Sequence, residues 1–414
     1  MVTYRQLFDA KPALWEAAAD DALAVAKQAT RTADNIHFNG AKPLADNWPD
    51  QTGAQARSAL VRCADRMVDT GILARGGAVA LDTLEDAVRT AQDSLKAAVS
   101  FALSRGLTVG EDGSVTVPDD MPDDEIDQAK RAADQARELI RDAVEAATQA
   151  DQSCVDALNA CTVDPDSIST PDAQKRQAKA VEAALKSIRN LLPDGQSPEN
   201  VARWWAGLTD EQRKMFERAV PVELHDLPGI PGDVKHRLED TGRGYNPVET
   251  VRWAKQNAHN EKIDVFSVNC ANFASNALHA GGLKYKLDAW RGTSDSRNWG
   301  RRYEDQIPQP GATHTRSWFN SDAQREFFLH NDGTEVPIGE ARPGDVVYFN
   351  YSHPTGDDVS HHTAVVTAVL PDGQVLYTQH TPGAVDQSLQ DRLPMISQGE
   401  GQQTPVIVRP KESW

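Results

Sequence analysis

Apolar residues recur at helical spacing through almost all of residues 1–162, and alanine and aspartate are frequent in that stretch. Positions three and four apart lie on one face of an α-helix, so this pattern predicts helices that each bury one stripe. The predicted helices span Thr3–Asn35, Gly53–Gly71, Gly76–Arg105 and Asp124–Leu158. Long helices with few aromatic residues are typical of a slender hairpin or bundle, so we expect an all-α domain over residues 1–162.

Breaks in the helical pattern divide the rest of a multidomain chain. Leu107–Val117 alternates around Glu-Asp-Gly, which predicts a small β-hairpin between two of the long helices. Residues 162–171 are rich in proline, serine and aspartate, and short helices follow, so we assign residues 163–244 to a helical connector. From about Tyr245, tryptophan, histidine and short β-runs become frequent. This change predicts an α+β domain over residues 245–414, with helices packed on a small antiparallel sheet.

The charge and the hydropathy of the chain exclude several classes of partner. Its formal net charge is −18 over 414 residues, which disfavours nucleic acid and anionic membrane surfaces. No run of 18 apolar residues occurs, so we expect no membrane span. The first residues lack the apolar segment of a signal peptide, so classical secretion is not indicated, although a leaderless route stays open.

Four cysteines are too few for disulfide bonds to hold together the fold of a chain of this size. Cys63 could form a disulfide with Cys154 or Cys161 across a helical hairpin. No Cys-x-x-Cys or paired histidine spacing occurs, so we expect neither a metal site nor a cofactor.

Cys270 opens a short helical pattern that ends at Gly281 and Gly282. The apolar stripe through Phe273 and Leu278 places this cysteine on the inward side of the first turn. The partial positive charge of a helix N-terminus favours a thiolate, which is the form that attacks a carbonyl carbon. A cysteine on an apolar stripe is also a common small core residue, so this helix alone leaves both interpretations open.

Several motifs in a consistent order resemble one enzyme family. They are Asn269-Cys270-x-Asn272-Phe273-x-Ser275, Ser317-Trp318, Pro343-Gly-Asp-Val, His362-Thr-Ala-Val-Val-Thr and Gln379-His380-Thr-Pro. Through them, residues of roughly 245–410 resemble the amidase domain of the papain-like NlpC/CHAP cysteine peptidase superfamily. The resemblance implies a cysteine nucleophile on a helix that faces a small antiparallel sheet. Asn269 stands where this family often has aspartate, and we expect its role to be structural.

The predicted strands supply the groups that would activate Cys270. His362 begins a strand and shares a face with Ala364 and other small or apolar residues, so we expect it to be the general base. A third polar group should fix its tautomer. His380 is our choice, at the end of the neighbouring strand, and Gln379 on the opposite face is the alternative. The backbone N–H of Cys270 is the natural oxyanion donor.

The N-terminal helices carry a second resemblance. Asn47-Trp48, Gly53 and the following Ala/Leu helix resemble the WXG-type helical modules of actinobacterial type VII secretion substrates. Trp48 and Gly53 depart from that pattern, because four residues rather than one separate them. The resemblance implies export by a leaderless, type VII-like route with a helical secretion partner. Without such export, we expect a cytoplasmic protein.

These observations together predict a secreted cysteine amidase that hydrolyses amide bonds, in peptidoglycan peptides, through a thioester. Trp290, Trp299 and Trp318 are candidates for lining its groove or for core packing. Two alternatives remain. A toxin of the same fold would act on a rival cell and would be paired with an immunity protein, whereas an interaction protein of the export apparatus would carry an inactive domain.

Overall fold

The computed structural model describes residues 1–122, 124–288, 292–301, 313–351, 359–391 and 403–414. The chain divides into two compact units, one formed by Met1–Pro193 with Leu208–Gln212 and the other by Asp194–Gly207 with Arg213–Trp414. The domain boundaries at residues 162/163 and 244/245 stay predictions.

The first unit is a helical bundle, so the expected all-α N-terminal region is confirmed. Its helices are α1 (Tyr4–Phe8), α2 (Ala13–Asn35), α3 (Lys42–Asn47), α4 (Gln51–Ser104), α5 (Ile126–Cys161) and α6 (Thr170–Asn190), with a π-helical turn over Ile36–Ala41. The expected hairpin is present as β1 (Thr108–Val109) paired with β2 (Val115–Thr116). Buried alanines dominate the helix contacts, which lets long helices approach closely.

Helix α4 runs unbroken for 54 residues, so the prediction of two helices, Gly53–Gly71 and Gly76–Arg105, is wrong. The glycines that suggested a break lie where neighbouring helices approach. A Cβ at Gly71 would lie 3.3 Å from the carbonyl oxygen of Ala26, and one at Gly76 only 2.6 Å from Cys161 Sγ. These glycines therefore make room for partner helices, a role that spacing along one chain segment does not show.

None of the four cysteines forms a disulfide, so the suggested bridge from Cys63 is absent. Cys63 is exposed, whereas Cys154 and Cys161 are buried. Burial, with a smaller contribution from Asp151, raises the pKa of Cys154 to about 12. That thiol is protonated at neutral pH and acts as a small apolar core group.

Acidic side chains cluster midway along α4. Glu85 is buried and forms an ion pair with Arg89, while Asp86 is partly buried beside Glu85 and Asp82. Burial first, and then the negative charges of Glu85 and Asp82, raise the pKa of Asp86 to about 8. Asp86 is therefore largely protonated at neutral pH, which is unusual for an aspartate.

From Asp194 onward the chain combines helices with one antiparallel sheet. The helices are α7 (Pro198–Gly207), α8 (Asp210–Ala219), α9 (Pro221–Asp226), α10 (Gly232–Glu239), α11 (Pro247–Asn257), α12 (Cys270–Ala280), α13 (Arg316–Phe319) and α14 (Ser321–Leu329). The strands are β3 (Thr334–Val336), β4 (Val346–Tyr351), β5 (Val359–Val369), β6 (Val375–Gln379), β7 (Ala384–Ser388) and β8 (Gln403–Arg409). They form one sheet in the order β3-β8-β4-β5-β6-β7, and every neighbouring pair is antiparallel.

The sheet has apolar residues on both faces. On one face, Tyr348 and Val365 pack in a core with Phe273 of α12 and the indole of Trp318. On the other face, a second core includes Phe349, Ala364, Val366 and Tyr377. Helix α12, which begins with Cys270, thus packs against one face of an antiparallel sheet, as expected for an α+β domain.

A β-bulge interrupts the pairing of β5 with β6. Val369 pairs with Val375 and Ala368 with Leu376, but Val366 pairs with Tyr377. Thr367 is therefore the extra residue. Its hydroxyl donates to Asp386 Oδ1 at 2.6 Å, which ties the bulge to β7. Beyond the bulge, the register of β5 toward its start is shifted by one residue relative to β6.

Candidate active site

Cys270 is the first residue of α12, and its side chain is almost fully buried. The preceding residue fixes the approach to the helix. Asn269 Oδ1 accepts hydrogen bonds from the backbone N–H groups of Val265 and Phe266, each at 3.2 Å. The structural role expected for Asn269 fits these bonds. A backbone N–H in the first turn of a helix has no partner within that helix, so the N–H of Cys270 is available to a ligand.

The structure brings Cys270 and His362 together, although they lie 92 positions apart in the sequence. Burial raises the pKa of the Cys270 thiol. The hydrogen bond and the charge of His362, with smaller contributions from the Ser321 hydroxyl and the Thr363 backbone, outweigh burial and lower that pKa overall. The thiolate is therefore stabilised in a site from which water is largely excluded.

Gln379 holds the far side of the His362 ring. His362 Nε2 lies 2.9 Å from Gln379 Oε1. The amide nitrogen of Gln379 donates to the carbonyl oxygen of Pro382 at 3.0 Å, so the amide oxygen must face the imidazole. An amide oxygen accepts, hence Nε2 carries the hydrogen and donates. The other nitrogen, Nδ1, is then the one that can take a proton from a thiol.

Among the described residues, no hydrogen bond joins His380 to His362, so the structure does not bring the predicted orienting group to the imidazole. Its Nδ1 lies 2.7 Å from the carbonyl oxygen of Ala258, and its Nε2 lies 2.5 Å from Asp264 Oδ1. Its ring stacks on Phe273 with a centroid distance of 5.8 Å. His380 therefore fastens the segment that precedes Cys270 to the end of β6.

The bulge at Thr367 accounts for the position of Gln379, rather than His380, beside His362. In the unbroken register set at the Val369–Val375 pair, His362 and His380 would share a face of the sheet. The extra residue reverses the facing of the β5 side chains from Val366 back to His362 relative to β6. Gln379 is thereby placed beside His362, whereas the His380 ring stacks on Phe273 of α12.

Ser321 is a neighbour of the thiol that the sequence did not reveal. It begins α14, and its Oγ lies 3.6 Å from Cys270 Sγ. The side chain of Asn320 caps this helix by accepting from the N–H of Ala323 at 2.9 Å. The Asn-Ser pair after Ser317-Trp318 signals a helix start. No local pattern could place that start beside Cys270.

A buried polar network holds α12 from behind. Gln324 donates to the carbonyl oxygen of Ala271 at 3.0 Å and to Ser275 Oγ at 2.7 Å. The indole N–H of Trp299 donates to Ser275 Oγ at 3.0 Å, and that of Trp318 to Asn272 Oδ1 at 2.8 Å. Because networks of satisfied buried groups are rigid, these bonds fix the position of the helix.

The three tryptophans proposed for the groove have different outcomes. Trp299 and Trp318 are completely buried, so they are core residues and do not line a groove. Trp290 lies outside the described residues.

His361, which directly precedes His362, lies at an irregularity between β4 and β5, and its ring stacks on Tyr351 with a centroid distance of 4.0 Å. Within the described ranges, no three His, Cys, Asp or Glu side chains are grouped as metal ligands. The same residues include no helix with an apolar stretch long enough to cross a bilayer.

One family model, described as "Putative amidase domain", matches residues 244–407. The match covers less than half of the chain and includes Cys270, His362 and Gln379. No curated protein and no solved structure is detectably similar to the chain. The C-terminal part therefore contains an amidase-like domain, and amide hydrolysis is the activity that this likeness indicates.

Proposed function

We propose that residues 245–414 are a papain-like cysteine amidase in which Cys270 is the nucleophile and His362 the general base. One observation carries the proposal: the His362 imidazole, whose Nε2 is held by Gln379, lowers the pKa of the buried Cys270 thiol against the opposing effect of burial. A catalytic triad consists of a nucleophile, a base beside it and a third group that orients the base. Gln379 takes the orienting role that His380 was expected to fill.

The reaction follows from the atoms in place. Cys270 transfers its proton to His362 Nδ1, and the thiolate attacks the carbonyl carbon of the substrate amide. The tetrahedral intermediate collapses when the imidazolium protonates the leaving nitrogen, which releases an amine and leaves a thioester. His362 then removes a proton from water. The resulting attack on the thioester releases a carboxylic acid and restores the thiol.

Two groups would stabilise charge along this path. The backbone N–H of Cys270 points from the helix N-terminus, where the developing oxyanion would receive both a hydrogen bond and the helix dipole. The hydroxyl of Ser321, 3.6 Å from the sulfur, would donate to the thiolate before attack.

The substrate and its location rest on the resemblances alone. We propose peptidoglycan stem peptides as the substrate, reached after export by a leaderless, type VII-like route that the N-terminal helices would serve. A peptide substrate suits a thiol at a helix N-terminus, because the nucleophile needs only an amide carbonyl to reach it.

The test is incubation of the full chain with purified peptidoglycan, followed by mass analysis of the released fragments. Cys270→Ala should abolish release while the far-ultraviolet circular dichroism is unchanged. Cys63→Ala is the matched control, because it removes a thiol that is exposed on α4, and it should release fragments at the wild-type rate. Release by Cys270→Ala at the wild-type rate would refute the cysteine mechanism. Activity on simple peptides without activity on peptidoglycan would refute only the substrate.

A further inference from the structure

A cavity of about 510 Å³ lies between α8, α10, the start of α11 and the loop at residues 339–343. None of the groups proposed for catalysis lines it. Its wall carries five basic side chains, Lys214, Arg218, Arg237, Arg243 and Arg342, and three acidic ones, Glu217, Asp240 and Glu340. A local excess of positive charge on a chain of net charge −18 is a marked departure from its surroundings.

Two of these arginines already have carboxylate partners. Arg237 pairs with Glu217 at 2.7 Å, and Arg243 pairs with the fully buried Asp345 at 3.1 Å. Their charges are thus balanced within the protein, and the excess charge of the cavity resides on its other basic groups.

Neither Arg218 nor Arg342 forms an ion pair with a carboxylate in the part of the chain that the structure describes. Arg218 donates from Nη2 to the carbonyl oxygen of Ala341 at 3.1 Å, but its buried Nε–H reaches no acceptor among the described residues. Burial and then the nearby charge of Arg342 lower the pKa of Arg218. Two like charges held together, one with an unsatisfied donor, are unfavourable unless an anion joins them.

The loop that carries Arg342 is held rigidly. The Arg342 backbone N–H donates to Asp345 Oδ2 at 2.9 Å, and Arg409 Nη2 donates to the same oxygen at 2.8 Å. Gly344 has φ +89°, and a Cβ there would lie 2.7 Å from Pro247 Cβ, so the turn fits closely against the start of α11. This fixed backbone at Arg342 lowers the ordering cost of bringing its exposed guanidinium group to an oxyanion beside Arg218.

We propose that this cavity binds a phosphate-type dianion between Arg218 and Arg342. Guanidinium groups present parallel N–H donors that match phosphate oxygens. A dianion neutralises both cations, whereas a monocarboxylate would leave one of them uncompensated. The site is independent of the proposed amidase reaction, and its occupation would brace the connector helix α8 against the turn before β4.

The experiment is calorimetric titration of the full chain with inorganic phosphate and, separately, with acetate at matched ionic strength. We expect saturable binding of one phosphate, a fall in affinity as salt increases, and weaker binding of acetate. Arg218→Gln and Arg342→Gln should each weaken phosphate affinity by about tenfold or more.

The matched control is Arg297→Gln, which removes an exposed arginine that already pairs with Asp295 and lies outside the cavity. It should bind phosphate as the wild type does. Arg342 is exposed, so its replacement keeps the test informative if Arg218→Gln folds poorly. Unchanged affinity in Arg342→Gln, absence of saturable phosphate binding, or acetate binding as tight as phosphate binding would overturn the proposal.

Discussion

Replacing Asp86 with asparagine should stabilise the helical unit. The pKa of Asp86 is raised to about 8 by burial and by the charges of Glu85 and Asp82, against about 3.9 in an unfolded chain. The folded protein therefore keeps a proton that the unfolded chain releases. The free energy of unfolding falls as pH rises from about 4 to about 8, because unfolding then releases that proton.

The size of the effect follows from that difference in pKa. At pH 7 the unfolded pKa lies about 3 units below the pH, and each unit is worth about 1.4 kcal/mol, so the cost approaches about 4 kcal/mol. Partial exposure of Asp86 and residual compactness of the unfolded chain reduce this, so we expect Asp86→Asn to gain about 2–4 kcal/mol. Asparagine cannot ionise, and its amide can still donate to Glu85 as the protonated aspartate does.

The assay is thermal unfolding of the full chain, followed by the helical circular dichroism signal, near pH 5, pH 7 and pH 8. Because the chain has two units, the helical transition must be fitted separately from that of the sheet domain. We expect a midpoint raised by roughly 4–15 °C near pH 7 and a flatter pH profile. Asp20→Asn, exposed on α2, is the matched control and should change stability by less than about 0.5 kcal/mol. Equal stability of Asp86→Asn and wild type at pH 7, with no loss of wild-type stability toward pH 8, would refute the reasoning.

Three further predictions concern the candidate active site. Gln379→Ala should lower kcat about 10–100-fold with little change in KM, because His362 loses the bond that fixes its reactive tautomer, as steady-state kinetics would measure. His362→Ala should raise the pKa of Cys270 above the ordinary thiol range, because burial remains while the stabilising partner is lost, and iodoacetamide alkylation against pH would report it. His380→Ala should lower stability by about 1–3 kcal/mol through the unpaired Ala258 carbonyl and Asp264, as urea unfolding would measure, without moving the alkylation midpoint of Cys270.

The control for the histidine variants is a substitution on the same strand, measured by the same alkylation of Cys270. His361→Ala removes the adjacent imidazole, which stacks on Tyr351, and should leave the alkylation profile of Cys270 unchanged. If His361→Ala and His362→Ala shift that profile equally, the pairing described for His362 is wrong. If His380→Ala lowers kcat as strongly as Gln379→Ala at unchanged stability, the orienting role belongs to His380 after all.

Local patterns predicted the elements that carry the proposed nucleophile and the proposed base. The helix at Cys270 begins and ends where its apolar stripe and its glycines indicate, and His362 lies on the strand expected for it. Such features depend on residues within one or two turns of each other, so a single sequence contains them.

Other features depend on contacts that spacing does not encode. Gly71 and Gly76 resemble helix breaks, yet they lie within α4 because α2 and α5 approach there. Ser321 reaches the thiol only after α13 and α14 fold back toward α12. The choice between Gln379 and His380 required the register of a whole strand pair.

Because of the bulge at Thr367, the number of residues in β5 decides whether Gln379 or His380 lies beside His362. Deleting Thr367 would leave Gln379 and His380 at the end of β6 but shift the register of β5 by one residue. We expect His380 rather than Gln379 to lie beside the His362 imidazole in such a variant. Two chains with identical motifs could therefore tune the same cysteine differently, and counting residues from the turn to the histidine would be the way to tell them apart.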